Sequence, residues 1–124
     1  MVHGPQSPCV LFNMPLGGER LGDWIRECIQ YMRDNNLSTI EATAGTEDGW
    51  PEEVEEAAKR TLFHGTDSWY SGANIEGKHR QFIVHTGGQR FFSRLKEVAQ
   101  QGYEGFKMEP EEAGGGGRKA RVRI

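Results

Sequence analysis

The sequence has few of the features that mark secreted, metal-binding or membrane-spanning proteins. It holds only two cysteines, Cys9 and Cys28, in 124 residues, which excludes a disulfide-stapled scaffold. Neither cysteine has a second Cys or His at zinc-ligand spacing, so we expect two reduced, partly buried thiols and no metal site. The longest apolar runs, Cys9–Phe12 and Phe82–Val84, are far shorter than the roughly 20 residues of a membrane span.

An excess of charge of one sign is also missing. Lys and Arg number 15 against 18 Asp and Glu, a formal net charge of −3, which argues against a nucleic-acid or anionic-membrane binder. Pro5 and Pro8 interrupt any N-terminal signal segment. These absences predict a cytoplasmic, soluble protein of one modest domain that binds neither nucleic acid nor membrane. The basic run 118–123 could contact RNA or an acidic partner, but we interpret it as an incidental terminus.

Three stretches carry the apolar spacing of amphipathic helices. The first is predicted over Glu19–Asn36, with a continuous apolar stripe at steps of three and four. The second is predicted over Thr46–Leu62, with Thr46 as its N-cap and an acidic face that we interpret as solvated surface. The third is predicted over Gln89–Gln101 and ends at Gly102. The apolar residues predicted to face the core are Leu21, Trp24, Ile25, Cys28, Ile29, Met32, Trp50, Val54, Ala57, Ala58, Leu62, Phe91, Phe92, Leu95, Val98 and Ala99.

Between and after these helices the chain offers little strand. Gln81–Val84 and Tyr103–Met108 are the two short candidates, and Thr39-Ile40 has β-leaning residue types. The predicted fold class is therefore α+β and mostly helical, with three amphipathic helices, long loops and one or two short strands. Residues 109–124 are predicted to be a disordered Gly-rich and basic tail. So few helices and strands make a small core for an independent domain, which suggests that this sequence is part of a larger protein.

Familiar nucleotide-binding and hydrolase motifs are absent or broken. The run Gly72–Lys78 matches a phosphate-binding loop, but His79 replaces the hydroxyl residue that would hold Mg²⁺, and the flanking strand and helix are missing. No G-x-G-x-x-G dinucleotide fingerprint and no G-x-S-x-G nucleophile elbow occurs. The four histidines are scattered, and we interpret them as plain surface residues rather than metal ligands: His3, His64, His79 and His85.

The long polar loop 63–88 carries the one aromatic cluster that could do chemistry. In Asp67–Asn74, Trp and Tyr stand among Gly, Ser and Asn, a composition that can stack on a flat ligand and close over it. The alternative is that Trp69 plugs a core beneath the loop. The residues alone leave these two interpretations equally open.

At this loop the sequence resembles a known family. Four blocks, GPQSPCVLFNMP, DWIRECIQYMRDNNLSTIEAT, SWYSGANIEGKHR and GYEGF, are similar to the C-terminal part of Baeyer–Villiger monooxygenases of the cyclohexanone and phenylacetone monooxygenase type. The match runs from Gly4 to about Lys107 in the family's order and spacing. Family loops usually read ANIPGKPR, so Glu76 and His79 replace two prolines, which would loosen the loop.

The resemblance implies a division of the chain and a set of cofactor contacts. In that family NADPH reduces FAD, and the reduced flavin uses O₂ to convert a ketone into an ester or lactone. Residues 1–18 would end an FAD-domain-like segment, and residues 19–108 would form a helical cap whose loop 63–88 covers the cofactor. Met14 falls on an FAD-contacting position and Trp69 on the tryptophan that folds over NADP, with Asn74 and Lys78 in the same loop.

What this sequence does not contain is equally informative under the resemblance. Both dinucleotide fingerprints and the catalytic arginine are missing, so we expect no catalytic residue, and neither FAD nor NADP(H) bound tightly by this chain alone. The resulting hypothesis is a truncated Baeyer–Villiger-type monooxygenase of a two-dinucleotide-domain architecture, inactive alone, whose partner polypeptide supplies the missing domains. The alternative is a non-catalytic binding or interaction module derived from that family.

Overall fold

A computed structural model describes residues 3–8, 11–110 and 121–122, and it shows an α+β fold. The elements follow in the order α1 (Met14–Asp34), β1 (Leu37–Ala42), α2 (Ala44–Ala58), a 3₁₀ turn (Trp69–Ser71), α3 (Gly88–Gln100), β2 (Phe106–Pro110) and β3 (Arg121–Val122). The three predicted helices are confirmed, and β1 contains Thr39 and Ile40 as their residue types indicate. In the described part of the chain, no helix is long and apolar enough to cross a membrane.

Helix α1 begins five residues before its predicted start. Asn13 is its N-cap, and the Asn13 side-chain oxygen accepts a hydrogen bond from the Leu16 N–H at 3.0 Å. Pro15 sits in the first turn, where a missing N–H costs no helical hydrogen bond. Gly17 packs closely on His3, since a Cβ at position 17 would lie 3.0 Å from the His3 Cε1. The Pro- and Gly-rich composition that indicates a loop is therefore compatible with a helix start.

Helix α2 is shifted towards the N-terminus relative to its prediction. Thr43, not Thr46, is the N-cap, and its side chain accepts from the Thr46 N–H. The helix ends at Ala58, where the Thr61 hydroxyl donates to the Ala58 carbonyl at 2.8 Å. Leu62 therefore lies beyond the helix and is 95% exposed. Its predicted place in the core is wrong.

The other apolar residues predicted to face the core from the three helices are buried or partly buried. Leu21, Cys28 and Met32 of α1 are buried, as are three residues of α2 and Phe91 of α3. The remaining predicted stripe residues are partly buried: Trp24, Ile25, Ile29, Trp50, Phe92, Leu95, Val98 and Ala99. Cys28 is a free, buried thiol whose pKa burial raises. Cys9 lies outside the described residues.

The strands form one small sheet in the order β2-β1-β3. β1 pairs antiparallel with β2, so that Ile40 faces Met108 across the strands, and it pairs in parallel with β3 at Thr39 and Ile40. The predicted disordered tail is therefore wrong at two places, because 109–110 belong to β2 and 121–122 form β3. The rest of the predicted tail, 111–120 and 123–124, lies outside the described residues.

The predicted strand Gln81–Val84 is not formed. Its backbone bonds run to irregular segments on either side: Gln81 N–H donates to the Ser71 carbonyl at 3.2 Å, and Ile83 N–H to the Tyr70 carbonyl at 3.0 Å. Burial nevertheless alternates along the segment, since Phe82 and Val84 are buried and Ile83 is exposed. The segment is extended, but its partners are turns rather than a ladder.

The GYEGF block has a structural role at the end of α3. Gly102 has φ +69 and stops the helix as predicted, and the Tyr103 N–H donates to the Val98 carbonyl at 2.8 Å in the pattern of a Schellman cap. Gly105 has φ +90, and a Cβ there would lie 2.5 Å from the Thr46 Oγ1. Any side chain at position 105 would clash with the start of α2.

The apolar residues separate into two clusters. The first, here called the sheet core, is built on Cys28, Met32, Ile40 and Tyr103 and lies between α1, the sheet and the end of α3. The second, here called the loop core, is built on Val54, Ala58 and Phe82, with Trp50, Phe63 and Tyr70 packed against it. The loop 63–88 thus packs on the loop core, to which it contributes Phe63, Tyr70 and Phe82.

Candidate cofactor-covering site

Trp69 opens a tight turn in the long loop. The Ser68 hydroxyl accepts a hydrogen bond from the Tyr70 N–H at 3.2 Å, which caps the 3₁₀ turn Trp69–Ser71. The turn ends at Gly72, whose φ of +75 is left-handed and whose N–H donates to the Trp69 carbonyl at 3.0 Å. Gly72 is the residue that accepts this conformation without strain. The backbone on both sides of Trp69 is therefore fixed by local bonds.

The Trp69 ring lies on the surface and is supported from below. Its ring centroid is 4.1 Å from that of Tyr70 with the planes 29° apart, and Tyr70 in turn meets Phe63 edge-on at 5.9 Å. Trp69 is 60% exposed. It does not plug a core, which removes one of the two interpretations the sequence left open. One face of a large aromatic ring remains available to a flat ligand.

An open depression lies beside Trp69. It has a volume of about 440 Å³ and is lined by Leu62, Phe63, Thr66, Asp67, Ser68 and Trp69. Its lining is mostly apolar, and Leu62 at its edge is almost completely exposed. This part of the surface can accept an apolar or aromatic group without displacing the loop.

The rest of the loop folds back against the turn. The aliphatic part of Lys78 lies against Gly72, since a Cβ at position 72 would be 3.2 Å from the Lys78 Cδ. Arg80 pairs with Asp67, with 2.7 Å between Nη1 and Oδ1. Asn74 is exposed. No strand precedes this run and no helix follows it directly, so the structure rules out a triphosphate-binding loop at Gly72–His79.

The N-terminal GPQSP segment is bonded to the far end of the same loop. Gln6 N–H donates to the Ile83 carbonyl at 2.7 Å, and His85 N–H donates to the Ser7 carbonyl at 3.3 Å. The Gln6 side-chain amide donates to the Phe82 carbonyl at 3.3 Å. Residues 76 or more positions apart are thereby held together.

Met14, the second candidate cofactor contact, lies on a different element. It is the first residue of α1 and is 41% exposed, as are its neighbours Leu11 (41%) and Leu16 (38%). In the part of the chain that the structure describes, no hydrogen bond or ring contact joins Met14 to Trp69. The two predicted cofactor contacts therefore present separate exposed apolar surfaces.

One residue of this region was wrongly predicted to be a surface histidine. His85 is completely buried, stacked on Trp50 (5.9 Å between ring centroids) and edge-on to Phe91 (5.5 Å). Burial lowers the pKa of His85, and the neighbouring Glu53 and Arg90 act on it in opposite directions. His85 directly follows the apolar run Phe82–Val84 and precedes the polar segment Thr86–Gly88. Its position at this boundary does not by itself distinguish a buried from an exposed histidine.

The described residues are better suited to lie against a flat cofactor ring than to bind the phosphates of a dinucleotide. Trp69 and the apolar depression can lie against a ring, but one nearby cation, Arg80, is already paired with Asp67. Dinucleotide-binding folds hold the pyrophosphate at a Gly-rich turn that leads from a strand into a helix N-terminus. Among the described elements β1 leads directly into α2, but the residue between them is Thr43 and the Gly-rich fingerprint is missing. Within the described ranges no three His, Cys, Asp or Glu side chains are grouped as a metal site.

Comparison with known proteins finds relatives with one common activity class. No protein-family model matches the chain. Among curated proteins, the chain is 36% identical over 107 residues to the cyclopentanone 1,2-monooxygenase of Comamonas sp., covering 86% of this chain and 20% of that protein. It is 36% identical over 110 residues to the cyclohexanone 1,2-monooxygenase of Acinetobacter sp., covering 88% and 20%. A Baeyer–Villiger monooxygenase of Pseudooceanicola batsensis is 31% identical over 104 residues.

Solved structures agree with this comparison in fold as well as in sequence. Cyclohexanone monooxygenase from Rhodococcus sp. Phi1 bound to NADP⁺ superposes with a TM-score of 0.76 at 32% identity, over 89% of this chain and 20% of that one. A closed form of cyclohexanone monooxygenase gives 0.75 at 39% identity, and an oxidised steroid monooxygenase bound to NADP gives 0.74 at 34%.

The chain spans about one fifth of the length of the curated relatives it matches. Sequence identity above 30% and a shared fold over nearly nine tenths of this chain establish common ancestry, and the predicted family resemblance is confirmed. Over most of its length, the chain is thus homologous to a segment that makes up about one fifth of the length of Baeyer–Villiger monooxygenases of the cyclohexanone monooxygenase type.

Proposed function

We propose that this chain is the cofactor-covering part of an FAD- and NADPH-dependent Baeyer–Villiger-type monooxygenase. The observation that carries the proposal is Trp69, an exposed indole that rests on Tyr70 beside an open apolar depression. Contiguous exposed apolar surface marks a ligand or partner site, and Trp69 lines the same depression as the exposed Leu62. Relatives that superpose on this chain have been solved with NADP bound, which supports the same ligand class here.

Under this proposal the chain's own residues bind, orient and exclude water. Trp69 stacks on a flat cofactor ring, and the hydrogen-bonded turn around it fixes the plane of the indole. Met14, exposed at the start of α1, contacts the flavin side. When bound, FAD and NADPH supply the hydride transfer and the O₂ chemistry of the family. Closure of such a loop keeps water from the reacting centre.

Holding the cofactors is assigned to other polypeptide. Residues 1–18 then form the end of an FAD-domain-like segment, and residues 19–108 form the cap. No residue among these 124 is proposed as catalytic, and the proposal requires that polypeptide with dinucleotide-binding folds be present alongside them. These 124 residues alone are accordingly proposed to be inactive with ketone, NADPH and O₂.

A chimera tests the covering role. The fifth of a cyclohexanone monooxygenase that matches this chain would be replaced by residues 4–108, and flavin content, KM for NADPH and ketone-dependent NADPH consumption would be measured. We expect a flavin-loaded chimera in which Trp69→Ala raises KM for NADPH. Loss of one aromatic stacking contact costs about 1–3 kcal/mol, which corresponds to roughly 5- to 150-fold.

Matched variants keep this test decisive. His79→Gln lies in the same loop and is also exposed, so it serves as a control that leaves KM unchanged. A flavin-loaded chimera with equal KM values for the Trp69→Ala and parent forms would contradict the covering role. A chimera that folds but retains neither flavin nor activity would instead favour the alternative function, a non-catalytic interaction module.

A further inference from the structure

His85 lies where three segments of the chain meet. Its ring is between Trp50 of α2 and Phe91 of α3, and its backbone N–H donates to the Ser7 carbonyl of the N-terminal segment. Ser7 is itself buried. We call these contacts, together with the one to Gly87 described next, the His85 junction. These contacts attach the C-terminal end of the loop 63–88 to α2, α3 and the N-terminal segment.

The hydrogen bonding of the imidazole specifies its protonation state. His85 Nδ1 accepts a hydrogen bond from the Gly87 N–H at 3.1 Å. An accepting nitrogen carries no proton, so the neutral ring has its proton on Nε2. In the described part of the structure Nε2 is buried and has no partner. Gly87 is also the N-cap of α3 and has no side chain with which to cap the helix. The bond from its N–H to His85 joins the imidazole to the start of α3.

Protonation of the ring would oppose the bond from the Gly87 N–H and the burial of the imidazole. The bond to Ser7 comes from the backbone N–H of His85 and would be affected only through displacement of the ring. A proton on Nδ1 would face the Gly87 N–H, donor against donor, and the bond would be lost. The positive charge would sit in a fully buried ring between two aromatic side chains. The charged groups that act on His85 are Glu53 of α2, which favours the charged form, and Arg90 of α3, which opposes it. Desolvation outweighs both and lowers the pKa of His85.

We propose that His85 is an acid-sensitive positioning residue: the neutral ring holds the N-terminal segment, the end of the loop 63–88 and the start of α3 together, and protonation releases them. The consequence is a loop whose closed state becomes less favourable as the pH falls below about 6.5. Nothing in this inference depends on cofactor binding, so it can fail or succeed independently of the covering role.

The direction of the pH dependence follows from linkage. An open junction exposes His85 to water, where its pKa returns to about 6.5, whereas the closed state has a lower pKa. The open state therefore binds the proton more tightly. Opening is independent of pH well above 6.5 and grows by up to tenfold per pH unit below it, until the closed-state pKa is reached.

Amide hydrogen exchange on the full chain, read residue by residue by NMR between pH 8 and pH 5, measures this directly. After correction for intrinsic exchange rates, protection at Gln6, His85 and Gly87 should fall by up to tenfold per pH unit below about pH 6.5. The Tyr103 amide, bonded to Val98 in the sheet core, is the internal reference and should keep its protection.

Two variants and one spectroscopic measurement complete the test. His85→Asn retains an acceptor at the position of Nδ1 without a titrating ring, and it should abolish the pH dependence. His79→Gln, an exposed loop histidine, should leave it intact. The ¹⁵N shifts of the imidazole report the tautomer in the unmutated chain, even if His85→Asn fails to fold. Flat protection at Gly87 down to pH 5, or a proton on Nδ1 at pH 8, would overturn the proposal.

Discussion

The sheet core and the loop core are of similar chemistry but are held in different ways. In the sheet core, Met32 and Tyr103 are almost fully buried, and regular helix and strand hydrogen bonds close the backbone around them. In the loop core, Phe82 and Val54 are equally buried, but the chain that covers them is irregular. Its backbone bonds are single ties between turns, such as Ile83 to Tyr70.

The exposed large apolar side chains lie in two places. Leu62, Trp69, Ile75 and Ile83 lie on the loop 63–88 or just before it and are 38–95% exposed, and Leu11, Met14 and Leu16 lie around the start of α1 and are 38–41% exposed. A rigid scaffold carrying an adaptable loop is the usual way in which binding surfaces are built. The difference teaches that regular backbone bonding surrounds the sheet core, whereas most of the exposed apolar surface lies on the irregular loop and the rest at the start of α1.

The largest expected effect is in the sheet core. Met32 is 1% exposed, so Met32→Ala leaves a cavity and should lower the free energy of unfolding by about 2–5 kcal/mol. Urea denaturation followed by far-UV circular dichroism measures it. Met14→Ala, at a position 41% exposed, is the matched control and should change stability by less than about 0.5 kcal/mol. Equal losses for the two variants would break the comparison.

A smaller effect is expected at the contact between the end of α3 and the start of α2. Gly105→Ala combines a φ of +90 with a Cβ 2.5 Å from Thr46 Oγ1, and such strain costs about 1–3 kcal/mol. Gly49, inside α2, has no heavy atom within 4 Å of its Cβ position, so Gly49→Ala should stabilise the chain by about 0.5–1 kcal/mol. Thermal unfolding of both variants gives the sign; destabilisation by both would contradict the steric argument.

In the loop, the ion pair should contribute little. The Arg80 and Asp67 side chains are 60% and 82% exposed, and exposed pairs are worth about 0.2–1 kcal/mol. A double-mutant cycle with Arg80→Ala and Asp67→Ala should give a coupling in this range that decreases at 1 M salt. A coupling that persists at high salt would mean that the loop is more tightly held than its exposure indicates.

A small effect on stability is expected for Trp69. Because its ring is 60% exposed and its ring contact in the described structure is the stack on Tyr70, Trp69→Ala should lower the free energy of unfolding by about 0.5–1.5 kcal/mol. Tyr70→Ala, whose ring also meets Phe63, should cost more. If Trp69→Ala destabilises the chain more than Tyr70→Ala does, Trp69 is a structural residue and the proposed function loses its support.

The regular half of the fold could be predicted because its signal is periodic. Helix α3 was predicted over Gln89–Gln101 and is found at Gly88–Gln100, since five apolar residues at helical spacing fix its phase. The start of α1 was missed because Pro15 reads as a breaker, although a first-turn proline is compatible with a helix. Strand β3 was missed because two residues carry no pattern, and only the partner β1 makes them a strand.

The position of the loop 63–88 could be predicted from the sequence, but the orientation of its side chains could not. Its composition indicated an aromatic, adaptable segment, and whether Trp69 faced outward depended on Tyr70 and Phe63 beneath it, which no local pattern shows. The burial of His85 is a tertiary effect of α2 and α3 closing on it. Residue roles at Met14 and Trp69 rest on family resemblance and stay predictions.

Titration of the purified 124-residue chain with FAD, and separately with NADPH, followed by flavin and nicotinamide fluorescence, tests the central claim most directly. A chain that covers cofactors without holding them should show no saturable binding of either, because no dinucleotide cradle is found among its described elements. Saturable binding of FAD that disappears in Met14→Ala or Trp69→Ala would show that these residues hold the cofactor themselves. That result would contradict the proposed division between covering and holding.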